Sequence, residues 1–294
     1  MLHDPFGSAP ESRGWKFARK LRAEEFDWAL VLPNSLRSAW WAWLSGAQRR
    51  VGIARDGRGW LLTETLPARS RREPHPCLDE YLRVAKRVGC QTTTRQTELA
   101  TTQADEAQFD QFWKKQGASP HEPVICLNPG GAFGTAKHWP VASFADLASR
   151  IVRELGYRVL VLCGPAEREE AQAIAHQANH PHIYSLAAET PSLGLTKAAI
   201  RRASLLVTTD SGPRHFAQPF RVPVVTLFGP THQAWSETFY DRSIHVQLDL
   251  ECGPCQQRTC PLQHHNCMQQ LPAERVFRAV QALIEKSSPL PISA

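Results

Sequence analysis

From residue 122 onward, short apolar runs alternate with amphipathic stretches, and no other feature of the sequence limits the fold as tightly. Pro123 to Leu127 (PVICL), Tyr157 to Cys163 (YRVLVLC), Ile183 to Leu186, Ser204 to Thr208 (SLLVT) and Val222 to Phe228 (VPVVTLF) read as buried strands. Ser143 to Leu155, ended by Gly156, then Ala166 to Gln177, Leu193 to Ala203 and a segment from Pro213 read as the intervening helices. Such alternation requires a parallel sheet with right-handed crossovers and helices on both faces. Ligands of these sheets bind outside the carboxyl ends of the strands, so the residues after each strand are where a site is expected.

The 294 residues are enough for two domains, each with its own core. Upstream, Trp15 to Glu25 reads as a helix, Trp28 to Leu32 as a buried strand and Ser35 to Leu44 as a second helix. Leu36, Trp40, Trp43 and Leu44 recur at helical spacing and are expected to face a core. A lipid-facing surface at Trp40, Trp41 and Trp43 is the sharper alternative. Residues 63–76 read as an exposed loop, Leu78 to Val88 as a helix and Ala104 to Gly117 as a short helix. The boundary is placed at 118, giving domains 1–118 and 119–294.

Charge is uneven: residues 1–100 carry 17 Lys and Arg against 11 Asp and Glu, whereas the remainder carries 17 of each. That excess could steer an acidic partner, and a solvated basic face explains it equally well. No apolar run approaches the roughly 18 residues of a membrane span. The start lacks the order of a secretory signal, so a cytoplasmic location is expected.

Four strand ends carry unusual sequence. After PVICL comes Asn128-Pro129-Gly130-Gly131, then Gly134 and Lys137; glycines allow close backbone approach, and the lysine suits a diphosphate. After YRVLVLC comes Gly164-Pro165-Ala166-Glu167, where Glu167 caps a helix or binds a ribose or sugar hydroxyl. After SLLVT comes Thr209-Asp210-Ser211-Gly212-Pro213-Arg214-His215, where a helix is expected to open at Gly212 and Pro213 and offer its amides to a phosphate. Gly229-Pro230-Thr231-His232 follows the last strand. Neither a G-x-G-x-x-G fingerprint nor a P-loop is present, so the ligand is read as a nucleoside diphosphate on another kind of α/β domain.

Cys252, Cys255, Cys260 and Cys267 fall in one short segment, with His264 and His265 inside it. A C-x2-C pair followed by two further cysteines could hold a structural zinc. Packed thiols and disulfides are the other readings.

NPGGAFGTAKHWP (128–140), VTTDSGPRHFA (207–217) and LFGPT (227–231) resemble the donor-domain motifs of glycosyltransferase family 9, the ADP-heptose:lipopolysaccharide heptosyltransferases. LRAEEFDWALVLPNSLRSAW (21–40) resembles the heptosyltransferase II branch. The resemblance implies a GT-B architecture of two Rossmann-like domains, an acceptor domain at 1–118 and a donor domain at 119–294 with a Cys-rich loop at 251–268. It implies inverting transfer of heptose from an ADP-heptose-type donor to the lipopolysaccharide inner core, without a catalytic metal. Lys137 matches the lysine that contacts donor phosphates. Gly130, Gly131, Asp210, Ser211, Gly212 and His215 fall in donor-binding segments, and Glu167 sits near the family's acidic nucleotide contact. The partners implied are the nucleotide sugar and an acidic glycolipid at the inner membrane face, with no nucleic acid. Family members begin with a strand and a GD loop whose aspartate is the general base, and the sequence as written lacks that segment. The acceptor domain is therefore expected to be truncated, and no general base is found. A non-catalytic nucleotide-sugar-binding homologue is the alternative.

Overall fold

The computed structural model describes residues 14–70, 72–91, 93–119, 122–131 and 134–287. The chain divides into two compact units, residues 1–94 and 95–294.

The first unit contains α1 (Gly14–Ala23), β1 (Trp28–Val31), α2 (Leu36–Leu44), β2 (Arg49–Ala54), β3 (Glu64–Pro67) and α3 (Cys77–Arg87). Its three strands are parallel, in the order β1-β2-β3. Two differences from the sequence reading stand out. Glu64–Pro67 is a strand, although its neighbourhood is polar enough to read as loop; the ladder to β2 decides its conformation. The face of α2 is also inverted. Ala39 is buried and Trp41 packs edge-on against Phe17 at 5.2 Å, while Leu36, Trp40 and Trp43 are exposed. The small residues let the helix approach closely, which apolar spacing alone does not reveal. Ser35 caps α2 by accepting the Ser38 N–H. The fully buried Arg58 donates to Ile53 O, Pro33 O, Ser35 O and Asn34 Oδ1, so backbone carbonyls and an amide satisfy its guanidinium.

The second unit opens with α4 (Gln103–Lys115), ahead of the boundary expected at 118. Phe109, Phe112 and Trp113 of α4 are buried in the same core as the later strands, and that burial assigns the helix to this unit. The rest is β4 (Val124–Asn128), α5 (Val141–Arg150), β5 (Arg158–Val161), α6 (Arg168–Ala178), β6 (Ile183–Ser185), α7 (Leu193–Arg202), β7 (Leu205–Thr209), α8 (Arg214–Ala217), β8 (Val224–Phe228), β9 (Ser243–Gln247), α9 (Asn266–Gln269) and α10 (Ala273–Ser287). A π-helical turn, Ile151–Leu155, extends α5 to Gly156, whose φ of 72° supplies the left-handed stop. Six parallel strands run in the order β6-β5-β4-β7-β8-β9. Residues of β4, β7 and β8 are buried throughout, as a sheet covered on both faces requires. From β4 the chain builds outward through β5 and β6, then returns to place β7 on the other side of β4. The order reverses there, and the crevice beyond β4 and β7 is the topological switch point. No helix among the described residues is long and apolar enough to cross a membrane.

Candidate functional site

At that switch point the loop after β4 meets the loop after β7. Lys137 is buried, and its Nζ donates to Asp210 Oδ2 and to Asp210 O, each at 2.7 Å. The same Oδ2 accepts from Thr231 Oγ1 at 2.8 Å, and Oδ1 accepts from Ser236 Oγ at 2.9 Å. Arg214 stands 3.6 Å from Oδ1. Burial by itself raises the Asp210 pKa; the hydrogen bond and charge of Lys137, then Thr231 and Ser236, more than offset it and hold the carboxyl below its ordinary range. Asp210 is therefore an ionised hub that joins three loops.

Arg214 is buried behind the hub, donating to Ser236 O at 2.7 Å, pairing with His245 Nε2 at 2.8 Å and lying 5.1 Å from the Phe228 ring centroid. Burial and then the Arg214 charge lower the pKa of His245, which leaves it a neutral acceptor. His215 is also shifted down, first by the protein crowded around it and then by Arg214 and Lys137, with Asp210 opposing. His215 as a whole is exposed.

Beside the hub lies a cavity of about 430 Å³, lined by Gly130, Gly131, Gly164, Glu167, Ser211 and Gly212 among others. Asn128 fixes its floor, with Nδ2 3.0 Å from Thr208 Oγ1 and from Ser211 Oγ and 3.3 Å from Gly130 O. Thr209 Oγ1 also donates to Gly130 O at 2.7 Å. Glu167 accepts the Gly164 N–H at 3.0 Å, and a Cβ on Gly130 would meet Glu167 Cγ at 2.6 Å. The glycine is needed because this carboxylate side chain packs over it.

The structure thus gathers Gly130, Gly131, Glu167, Ser211 and Gly212 around one cavity and joins Lys137 to Asp210 next to it. His215 lies off the cavity lining. The helix expected at Gly212 and Pro213 is a single turn, Arg214–Ala217, so its dipole is much smaller than a full helix would provide. Sequence reasoning missed Asn128, Thr209, Arg214, Ser236 and His245 as parts of the site. Asn128 and Thr209 were visible at strand ends, whereas Ser236 and His245 come from segments with no motif. The four cysteines of the segment after β9 line a second, small cavity beside Gly229 and Ala136, and all are free thiols.

The model for glycosyltransferase family 9 (heptosyltransferase) matches residues 14–266. The chain belongs to glycosyltransferase family 9. It is 34% identical over 168 residues to lipooligosaccharide heptosyltransferase 2 of Campylobacter jejuni, covering 56% of this chain and 52% of that one. It is 27% identical over 278 residues to lipopolysaccharide heptosyltransferase 2 of Escherichia coli, covering 92% and 78%. The alignments therefore span between half and four-fifths of these relatives' lengths. The solved ADP-heptose lipopolysaccharide heptosyltransferase II of E. coli superposes with a TM-score of 0.75 at 24% identity, covering 92% of this chain and 80% of the other. The likeness shows the fold: α/β with parallel sheets, as in GT-B glycosyltransferases.

Proposed function

We propose that this member of family 9 transfers heptose from an ADP-heptose-type donor to the lipopolysaccharide inner core, with inversion and without a catalytic metal. The observation that carries the reading is the Lys137–Asp210 pair at the switch point, beside a glycine-lined cavity. ADP-heptose enters as the donor named for the E. coli structural relative.

On this reading the diphosphate lies against Lys137, where an ammonium held in a site of restricted solvent access stabilises the charge that develops on the leaving group. Asp210 holds Lys137 in place, its own oxygens fixed by Lys137, Thr231 and Ser236. Glu167 is placed to exchange its bond to the Gly164 N–H for a ribose hydroxyl. The acceptor is an acidic glycolipid at the membrane surface, attracted by the basic excess of residues 1–100. Calorimetric titration with ADP tests the donor site: Lys137→Ala is expected to weaken binding by at least tenfold, the worth of a charge-assisted hydrogen bond. Equal binding by the variant overturns the assignment.

A second reading, binding of the nucleotide sugar without transfer, is favoured by the state of Asp210. A carboxylate with a depressed pKa and four protein partners is a poor general base. Product analysis with ADP-heptose and a deacylated inner-core acceptor separates the two readings, since sustained transfer excludes the second.

A further inference from the structure

Two loops of the site are held from outside by a segment that the transfer reaction does not use. Residues 248–265, between β9 and α9, contain no helix or strand. The Arg258 carbonyl accepts the Ala136 N–H at 3.2 Å, next to Lys137, and Gln256 N–H donates to Pro230 O at 2.8 Å, next to Thr231. Gly134 packs so close to this segment that a Cβ there would collide with the Arg258 carbonyl oxygen. The segment thus touches the loops of both Lys137 and Thr231, two of the groups that converge on Asp210.

Little that is apolar holds the segment itself. Between residues 251 and 265 every residue is exposed except Cys255, Cys260 and His265, which are half-buried. Two cysteines are thus among the least exposed residues of a segment with no leucine or valine core of its own, while Cys252 is exposed. Gln256, Gln263 and His265 have left-handed backbone, with φ of 58°, 59° and 50°. Irregular segments of this length are uncommon in compact domains and usually serve a function. All four cysteines line one cavity of about 30 Å³ with His264 and His265.

We propose that Cys252, Cys255, Cys260 and Cys267 bind one zinc ion as a tetrahedral thiolate site, and that this ion braces the loops carrying Lys137 and Thr231. The spacing is C-x2-C-x4-C-x6-C, and its first pair is the commonest element of closed structural zinc sites. As the side chains lie, no three His, Cys, Asp or Glu among the described residues stand ready to hold an ion. Exposed Cys252, on the rim of the cavity, has to turn inward for the site to close. Binding releases the thiol protons to solvent. The brace rests on the donor-site reading; the ion does not.

The test uses the full chain, prepared reduced with zinc and passed through gel filtration. About one zinc per chain is expected by elemental analysis. A mercurial should release it to a chromogenic chelator, and cobalt in its place should give thiolate charge-transfer absorption. Cys260→Ser and Cys267→Ser should lose the ion while Cys90→Ser keeps it. Should the serine variants fail to fold, the mercurial release on the unaltered chain still decides. Removal of zinc should weaken ADP binding roughly tenfold, the loss expected when Lys137 no longer holds its charge-assisted hydrogen bond to the diphosphate. A reduced chain without stoichiometric zinc and with all four thiols titratable, or a chain with disulfides among them, overturns the site. Zinc that leaves without changing ADP affinity overturns the brace alone. If neither form binds ADP, the donor reading fails and the zinc assignment stands on its metal content.

Discussion

At the scale of residues, the site is an arrangement of buried charges whose balance depends on Asp210. Lys137 and Arg214 are both buried, and Asp210 pairs with each. Asp210→Asn removes the compensating charge and leaves a buried ammonium; breaking a buried pair from one side costs about 3 kcal/mol or more. For a unit of this size the melting temperature is expected to fall by roughly 6 to 12 °C, measured by calorimetry. Acid gives the complementary result. The folded pKa of Asp210 is depressed, so its contribution is fully present above the unfolded value of about 4 and is lost as pH falls through the folded value. The acid limb of the stability curve should therefore be flatter in Asp210→Asn. His215 and His245 act in the opposite sense. Their folded pKa values are lowered, so below about pH 6.5 the unfolded chain binds protons that the folded chain does not. Stability should begin to decline there, and His245→Gln should remove part of that slope. An unchanged slope would show that His245 is not held neutral in the folded chain.

At the scale of elements, α4 decides where a stable fragment can begin. Its N-terminus carries a reciprocal capping box between Thr102 and Asp105. Asp105 also pairs with Lys197, Glu106 with Arg201 and Arg202, and Asp110 with Arg202, so one face of α4 is matched in charge to α7. Interleaved with these acids on the same side, Phe109, Phe112 and Trp113 are buried in the core of the second unit. A fragment starting at 95 should fold cooperatively, whereas one starting at 119 exposes that core and should be insoluble or molten; circular dichroism and heteronuclear NMR distinguish the two. The helix itself was legible in the sequence, but its allegiance was not, because amphipathic spacing reports a buried face and not the partner that buries it. Strands β4, β5, β7 and β8 were legible for a plain reason: each is a largely apolar run followed by glycine, proline or a polar turn. β3 and β9 were not, since Glu64-Thr-Leu-Pro67 and Ser243-Ile-His-Val-Gln247 owe their conformation to a neighbouring strand. The same limit applies to the site. Lys137 and Asp210 could be marked from strand-end logic, yet their direct pairing, and the part Ser236 and His245 play in it, depend on packing between segments far apart in sequence.

At the scale of the whole molecule, the two units differ in how much core each possesses. The second gathers nearly all of its buried apolar side chains into one continuous cluster across both faces of a six-stranded sheet. Among the described residues the first has two small clusters, one around Val31, Ala39, Leu61 and Leu62, the other around Val51, Ile53 and Val84. Buried apolar area is the main favourable term in folding, so the first unit should be the less stable. Heating is expected to give two transitions, the earlier reported by the tryptophans of α2 and the later by loss of the larger sheet. The proposed donor site lies within the second unit, so ADP should act on the later transition. A ligand at 100 times its dissociation constant stabilises the form it binds by about 2.7 kcal/mol. In a unit of about 200 residues that corresponds to an upward shift of roughly 5 to 11 °C. The earlier transition should stay where it was. A shift of both transitions together would mean that the units unfold as one, and a shift of the first alone would place the nucleotide on the wrong unit.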